Sequence, residues 1–116
     1  MVKLAIYQKP TCTTCRRVYK MLQEARVDLE SVNYFVDSLS KSKLKELLGK
    51  MKIPAHELLR KKEPIYKKLK LSEKKLSEDE IIDLMVKYPD LIQRPIVEKG
   101  AKAILARPPE RLKEIL

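Results

Sequence analysis

The chain has 116 residues and a formal net charge of +10, from 26 Lys and Arg against 16 Asp and Glu. That length suits one domain around one core, and a hydrophobic content of 44% argues against a disordered chain. No apolar run approaches the roughly 18 residues of a membrane span, so neither a transmembrane segment nor a membrane partner is expected.

Val2 to Tyr7 reads as a buried first strand. Pro10 ends it, and Thr11 or Thr13 can cap the helix that follows. Val18, Met21, Leu22 and Ala25 fall at helical spacing, which predicts a helix from Cys12 to about Arg26. The alternation after Val27 predicts a second strand around Leu29–Tyr34. A strand–helix–strand unit of this length implies parallel strands joined by a right-handed crossover.

Ser40 is placed to cap a second helix, with Leu44, Leu47 and Leu48 on one face and a stop at Gly49 or just beyond. Pro54 begins a short helical piece over Ala55–Leu59, and the lysine-dense stretch from Arg60 to Lys75 predicts one or two short outer helices. Ser77-Glu78-Asp79-Glu80 opens a further helix with acidic residues at its positive end, and Tyr88-Pro89 closes it. Leu91 to Val97 and Ala101 to Leu105 predict a β-hairpin whose turn includes Lys99-Gly100. Pro108-Pro109 starts a last helix, with Leu112, Ile115 and Leu116 on its apolar side.

Both cysteines lie in Cys12-Thr13-Thr14-Cys15, between the first strand and the first helix. A Cys-x-x-Cys in that place reads as a redox motif of thioredoxin type. The unpaired N–H groups and positive dipole end of a helix start stabilise a thiolate, and Arg16 and Arg17 add charge nearby. Cys12 is then the exposed nucleophile and Cys15 the thiol that resolves it. Two buried structural thiols, or half of a zinc site, are the plainer alternatives. A zinc site needs about four ligands, and His56 is the one further soft or imidazole ligand in the chain.

The order β-α-β, helical block, β-hairpin and terminal helix predicts an α/β protein. Its plan is a single thioredoxin-like domain over residues 1–116, with a mixed four-stranded sheet and a helical insertion over about 40–88. By analogy with that fold the Arg94-Pro95 bond is expected to be cis. The lysines are mixed with glutamates along helical stretches, and aromatics are only 5%. This favours a solvated charged surface over a specific nucleic-acid face. The N-terminus lacks a long apolar signal core, so a cytoplasmic monomer is expected, in a compartment where a cysteine pair is catalytic more often than structural.

Tyr-x-x-Pro-x-Cys at Tyr7–Cys12, Leu58–Lys61, Arg-Pro-Ile-Val at Arg94–Val97 and Ala-Arg-Pro-Pro-Glu at Ala106–Glu110 together resemble one family. It is the arsenate reductase family that works with glutathione and glutaredoxin, which also contains the Spx-type transcriptional regulators. The resemblance implies that Cys12 attacks arsenate or a similar oxyanion, and that Arg60, Arg94 and Arg107 hold it. Guanidinium forks suit a tetrahedral dianion. Lysine outnumbers arginine 19 to 7 in this chain, yet all three matching positions are arginine. The resemblance implies no bound cofactor, with glutathione and glutaredoxin or thioredoxin as thiol donor.

The chain departs from the arsenate type in two places. Gln8-Lys9 stands where those enzymes often carry His-Asn, and Cys15 replaces another small residue. Cys15 makes a Cys12–Cys15 disulfide possible, as in the Spx-type switch, and that alternative would have RNA polymerase as partner. Arg107 favours the oxidoreductase, whereas Cys15 and the basic surface favour the regulator. The enzyme is the preferred reading.

Overall fold

The computed structural model describes residues 3–9, 12–34, 36 and 39–116. Val2, Pro10 and Thr11, which enter the expectations for the first strand and the helix cap, lie outside them. The contacts divide the chain into two compact units, residues up to 37 together with 94–116, and residues 38–93.

The first unit is built on a four-stranded mixed sheet in the order β2-β1-β3-β4. Its strands are β1 (Leu4–Gln8), β2 (Leu29–Asn33), β3 (Ile96–Lys99) and β4 (Lys102–Leu105). β1 pairs in parallel with β2, from Leu4↔Leu29 to Gln8↔Asn33. It pairs antiparallel with β3, from Leu4↔Lys99 to Tyr7↔Ile96. The β3–β4 hairpin turns through Gly100-Ala101, with Lys99 opposite Lys102. Gly100 takes φ 57°, which a two-residue hairpin loop requires at its first position. The four-residue turn closed by Lys99 and Lys102 therefore includes Lys99-Gly100, as the sequence predicts.

Helix α1 (Thr13–Glu24) covers one face of this sheet. Leu4 and Ile6 alternate onto that face and meet Val18 and Leu22 of α1, with Val97, Ala106, Leu112 and Ile115 completing the cluster. Each Leu, Ile or Val side chain in it contributes about 1.5–3 kcal/mol through burial. That core fixes the height of α1 over β1, and so the place of the helix start. The Arg94-Pro95 bond is cis as expected, and Arg107-Pro108 is cis as well. The last helix is a 3₁₀ helix, Pro109–Glu114, and Leu116 beyond it is exposed rather than on the apolar side.

The second unit holds α2 (Lys41–Met51), α3 (Ala55–Leu58), α4 (Pro64–Lys68) and α5 (Glu78–Lys87), with two short 3₁₀ turns at Leu71–Glu73 and Pro89–Leu91. Ser40 caps α2 by accepting from the Lys43 N–H at 3.0 Å. Gly49 lies inside α2 and does not stop it. The left-handed conformation at the C-cap falls on Lys52, at φ 57°. Ser77 and Glu80 form a reciprocal capping box on α5. Leu91 and Ile92 do not extend the hairpin. Ile92 instead bridges Leu59, while the Arg60 N–H donates to the Leu91 carbonyl at 2.7 Å and the Gln93 N–H to the Leu58 carbonyl at 2.9 Å.

Candidate active site

Cys12 is the N-cap residue of α1, in extended conformation with φ −78° and ψ 125°. Thr13 is the first helical residue rather than the cap, Cys12 at the N-cap makes no side-chain capping bond, and Thr11, the other cap the sequence suggests, lies outside the described residues. The Cys12 N–H donates to the Lys9 carbonyl at 2.9 Å, which turns the chain from β1 into α1. The Cys12 carbonyl then accepts the first intrahelical bond from Arg16, at 3.0 Å. The open N–H groups of the first turn consequently face the Cys12 sulfur.

Both cysteines are free thiols, Cys12 half-buried and Cys15 fully buried. Burial works against ionisation of Cys12. The Cys15 backbone N–H, the Cys15 thiol and the Arg94 guanidinium together outweigh it and hold its pKa at about 7, below an ordinary 9.0. Burial dominates at Cys15, and with the neighbouring Cys12 charge it pushes that thiol up to about 12, against a bond from the Lys9 backbone. The two thiols therefore take opposite roles: Cys12 is substantially thiolate at neutral pH, and Cys15 stays protonated and donates to it.

The positive charge at Cys12 comes from Arg94, not from the adjacent pair in the motif. Arg16 and Arg17 are both exposed, and Arg17 meets Glu110 at 3.8 Å. Arg94 is 5% exposed. Burial alone would lower its pKa, but Tyr34 and Cys12 beside it raise it, so the guanidinium stays charged. Tyr34, just past β2, is itself buried. Burial lifts its pKa above the ordinary value against the pull of Arg94, so it is a neutral hydroxyl facing a cation. Sequence reasoning missed Tyr34. The alternating pattern placed it at the end of a strand, and nothing local marked it as the partner of an arginine 60 residues on.

Arg107 is exposed and donates from Nη1 to the Arg94 carbonyl at 3.2 Å. The first unit thus brings together Cys12, Cys15, Arg94 and Arg107. Arg60 belongs to the second unit, where Nε meets Glu63 Oε1 at 2.8 Å and Nη1 is buried with no hydrogen-bond partner. His56 is exposed and lies 3.5 Å from Glu78. Among the described residues, no three His, Cys, Asp or Glu side chains cluster as metal ligands, and no helix is long and apolar enough to cross a membrane.

A thioredoxin-like sheet with an ionisable cysteine at the head of its first helix defines a class of thiol-based oxidoreductases. The ArsC family model matches residues 7–115, and the chain belongs to that family. It is 38% identical over 115 residues to YfgD, an uncharacterized protein of Escherichia coli K12, covering 98% of this chain and 97% of that one. It is 34% identical to the arsenate reductase of the same strain, over 100% of this chain and 82% of the enzyme. Among solved structures, the arsenate reductase from Vibrio cholerae superposes with a TM-score of 0.94 at 33% identity, covering 99% of this chain and 98% of that one.

Proposed function

We propose that the protein reduces arsenate to arsenite with thiols as the electron source. One observation carries the reading: Cys12 ionises near pH 7 at a helix start, beside a buried and permanently charged arginine. Arsenate binds at the α1 N-terminus against Arg94 and Arg107, and the Cys12 thiolate attacks arsenic. One oxygen leaves as water, giving a Cys12–arsenic(V) adduct. A second thiol then takes part, so that two thiols become one disulfide, two electrons pass to arsenic, and arsenite departs.

The second thiol is an external one on this reading. At a pKa of about 12, Cys15 is almost entirely protonated at neutral pH, and the thiolate is the attacking form. Glutathione followed by glutaredoxin, or thioredoxin, serves as donor, and a reducing cytoplasm supplies it. The chemistry requires no metal, flavin or nucleotide. Arg60 is assigned to the oxyanion by resemblance.

The test is arsenite formation with glutathione plus glutaredoxin, compared with thioredoxin. Turnover with either donor supports the reading, and none with both removes it. The contact between the Cys15 thiol and Cys12 favours one second reading, an Spx-type switch that closes a Cys12–Cys15 disulfide and alters RNA polymerase binding. A pull-down in both redox states decides it: specific capture that changes with oxidation supports the switch, and its absence removes it.

A further inference from the structure

Of the basic stretch between α3 and α5, only Arg60 enters the proposed reaction. Residues 60–75 hold eight Lys or Arg and two Glu, a net charge of +6 out of the chain's +10. All seven lysines of the stretch are exposed, and among the described residues none of them forms an ion pair. Helix α2 of the same unit is the contrast: Lys41, Lys43, Lys45 and Lys50 each meet a carboxylate, at Asp79, Asp83 or Glu46. Crowding like charges costs stability through self-repulsion. A surface shaped for stability alone would intersperse acidic residues among them, as at the α2–α5 contact.

Three of these lysines border an apolar recess. A groove of about 420 Å³ in the second unit has Lys61, Lys74 and Lys75 in its lining, along with Leu59, Leu71 and Ile81, whose side chains are buried. Tyr66 and Leu76, both half-buried, add apolar surface. Its one carboxylate, Glu78, is already engaged: it accepts the Ala55 N–H at the start of α3 and lies 3.5 Å from His56. An apolar centre with a charged rim is the anatomy of a protein docking site, where one buried side chain anchors the partner.

We propose that this groove binds an acidic segment of a partner protein. An aliphatic or aromatic side chain of that segment sits among Leu59, Leu71 and Ile81, and the flanking Asp or Glu carboxylates meet Lys61, Lys74 and Lys75. The chemistry selects this occupant over two other anionic ones. Nucleic acids are held by arginine forks on phosphate and by bases stacked on aromatic rings. Here the unpaired cations are all lysine, and Arg60 is bonded to Glu63 at 2.8 Å. A lipid surface takes apolar groups that project outward, whereas those of this groove are buried. The inference is independent of arsenate chemistry, since it needs neither Cys12 nor a thiol donor.

The experiment titrates the protein with the synthetic peptide Asp-Glu-Leu-Phe-Glu-Asp, followed by backbone amide NMR. The proposal predicts saturable shifts at Lys61, Tyr66, Ser72 and Leu76. It also predicts about tenfold weaker binding to K61Q/K74Q/K75Q, as expected for the loss of several exposed ion pairs. K99Q/K102Q/K113Q removes the same charge from the first unit and should bind as wild type does. A peptide with Ser-Ser in place of Leu-Phe should bind about tenfold more weakly, because its anchor is gone. Equal weakening in the two triple variants, or equal affinity for the Ser-Ser peptide, would overturn the groove, since either marks attraction to net charge alone. No binding at millimolar peptide, or shifts confined to other residues, would overturn it as well. Tighter binding at the same residues by oligodeoxythymidylate or by phosphatidylserine vesicles would overturn the acidic segment in favour of a nucleic acid or a membrane.

Discussion

Arg107 is tied to Arg94 through the backbone: Arg107 Nη1 donates to the Arg94 carbonyl at 3.2 Å, and the Arg94 guanidinium in turn bonds the Cys12 sulfur. A residue at the end of the hairpin is thereby linked to the thiolate at the helix start. On the proposed function, losing Arg107 acts on both the oxyanion and the loop that carries Arg94. Arg107→Ala removes a charge-assisted contact of about 1.5–3 kcal/mol. That is roughly a ten- to hundredfold fall in kcat/KM for arsenate. Arg107→Lys keeps the charge and loses the planar fork, so it should recover only part. Arsenate kinetics on the three proteins check this, and unchanged kinetics in Arg107→Ala would remove Arg107 from the pocket.

The Cys12 thiolate is the reactive form, so alkylation of Cys12 by iodoacetamide should rise through a midpoint near pH 7 and level off above it. Arg94→Gln removes a cation from the sulfur and should move that midpoint upward. The rate against pH for both proteins tests the cause as well as the value. A midpoint unmoved in Arg94→Gln would show that Arg94 does not stabilise the thiolate.

The two thiols affect stability with opposite signs. Cys12 has a lowered pKa in the fold, so its contribution is complete above the ordinary value near 9 and is lost as pH falls through about 7. Cys15 has a raised pKa, so its contribution is present below about 9 and is lost as pH rises toward about 12. Urea unfolding of Cys15→Ala should show a shallower alkaline loss of stability than wild type. Identical slopes above pH 9 would contradict the buried, protonated Cys15.

Much of this was legible in the chain. The order of elements, the parallel β1–β2 pair, the cap at Ser40 and the helix that opens after Ser77 follow from periodicity and local cap chemistry, which act over a few residues. The place of Cys12 at a helix start was legible for the same reason, since a helix start is a local feature. The source of its charge was not. Arg16 and Arg17 adjoin the motif in sequence, yet an exposed helix face turns them outward, and Arg94 reaches the sulfur only through the pairing of β3 with β1. Tyr34 was hidden likewise, because its partner is set by tertiary packing. Gly49 marked the end of α2 only approximately: the helix runs two residues past it to Met51, because a helix interior tolerates glycine at about 1 kcal/mol, and Lys52 takes the left-handed cap.

Tyr34 is buried against Arg94 and holds it in place through its hydroxyl. Tyr34→Phe keeps the ring and its packing, so the stability cost should be about 1 kcal/mol, that of one hydrogen bond. The freed guanidinium should lower kcat/KM for arsenate about tenfold and shift the Cys12 alkylation midpoint. Denaturant unfolding beside the alkylation profile separates the two effects. A large loss of stability with an unmoved midpoint would make Tyr34 a packing residue only.

The most direct measurement is arsenite production by wild type and Cys12→Ser, each supplied with glutathione and glutaredoxin at neutral pH. A serine hydroxyl is essentially un-ionised where the Cys12 thiolate is substantially formed, and it cannot enter a disulfide. The account predicts sustained turnover by wild type and background rates for Cys12→Ser. Near-normal turnover by Cys12→Ser would contradict Cys12 as the nucleophile.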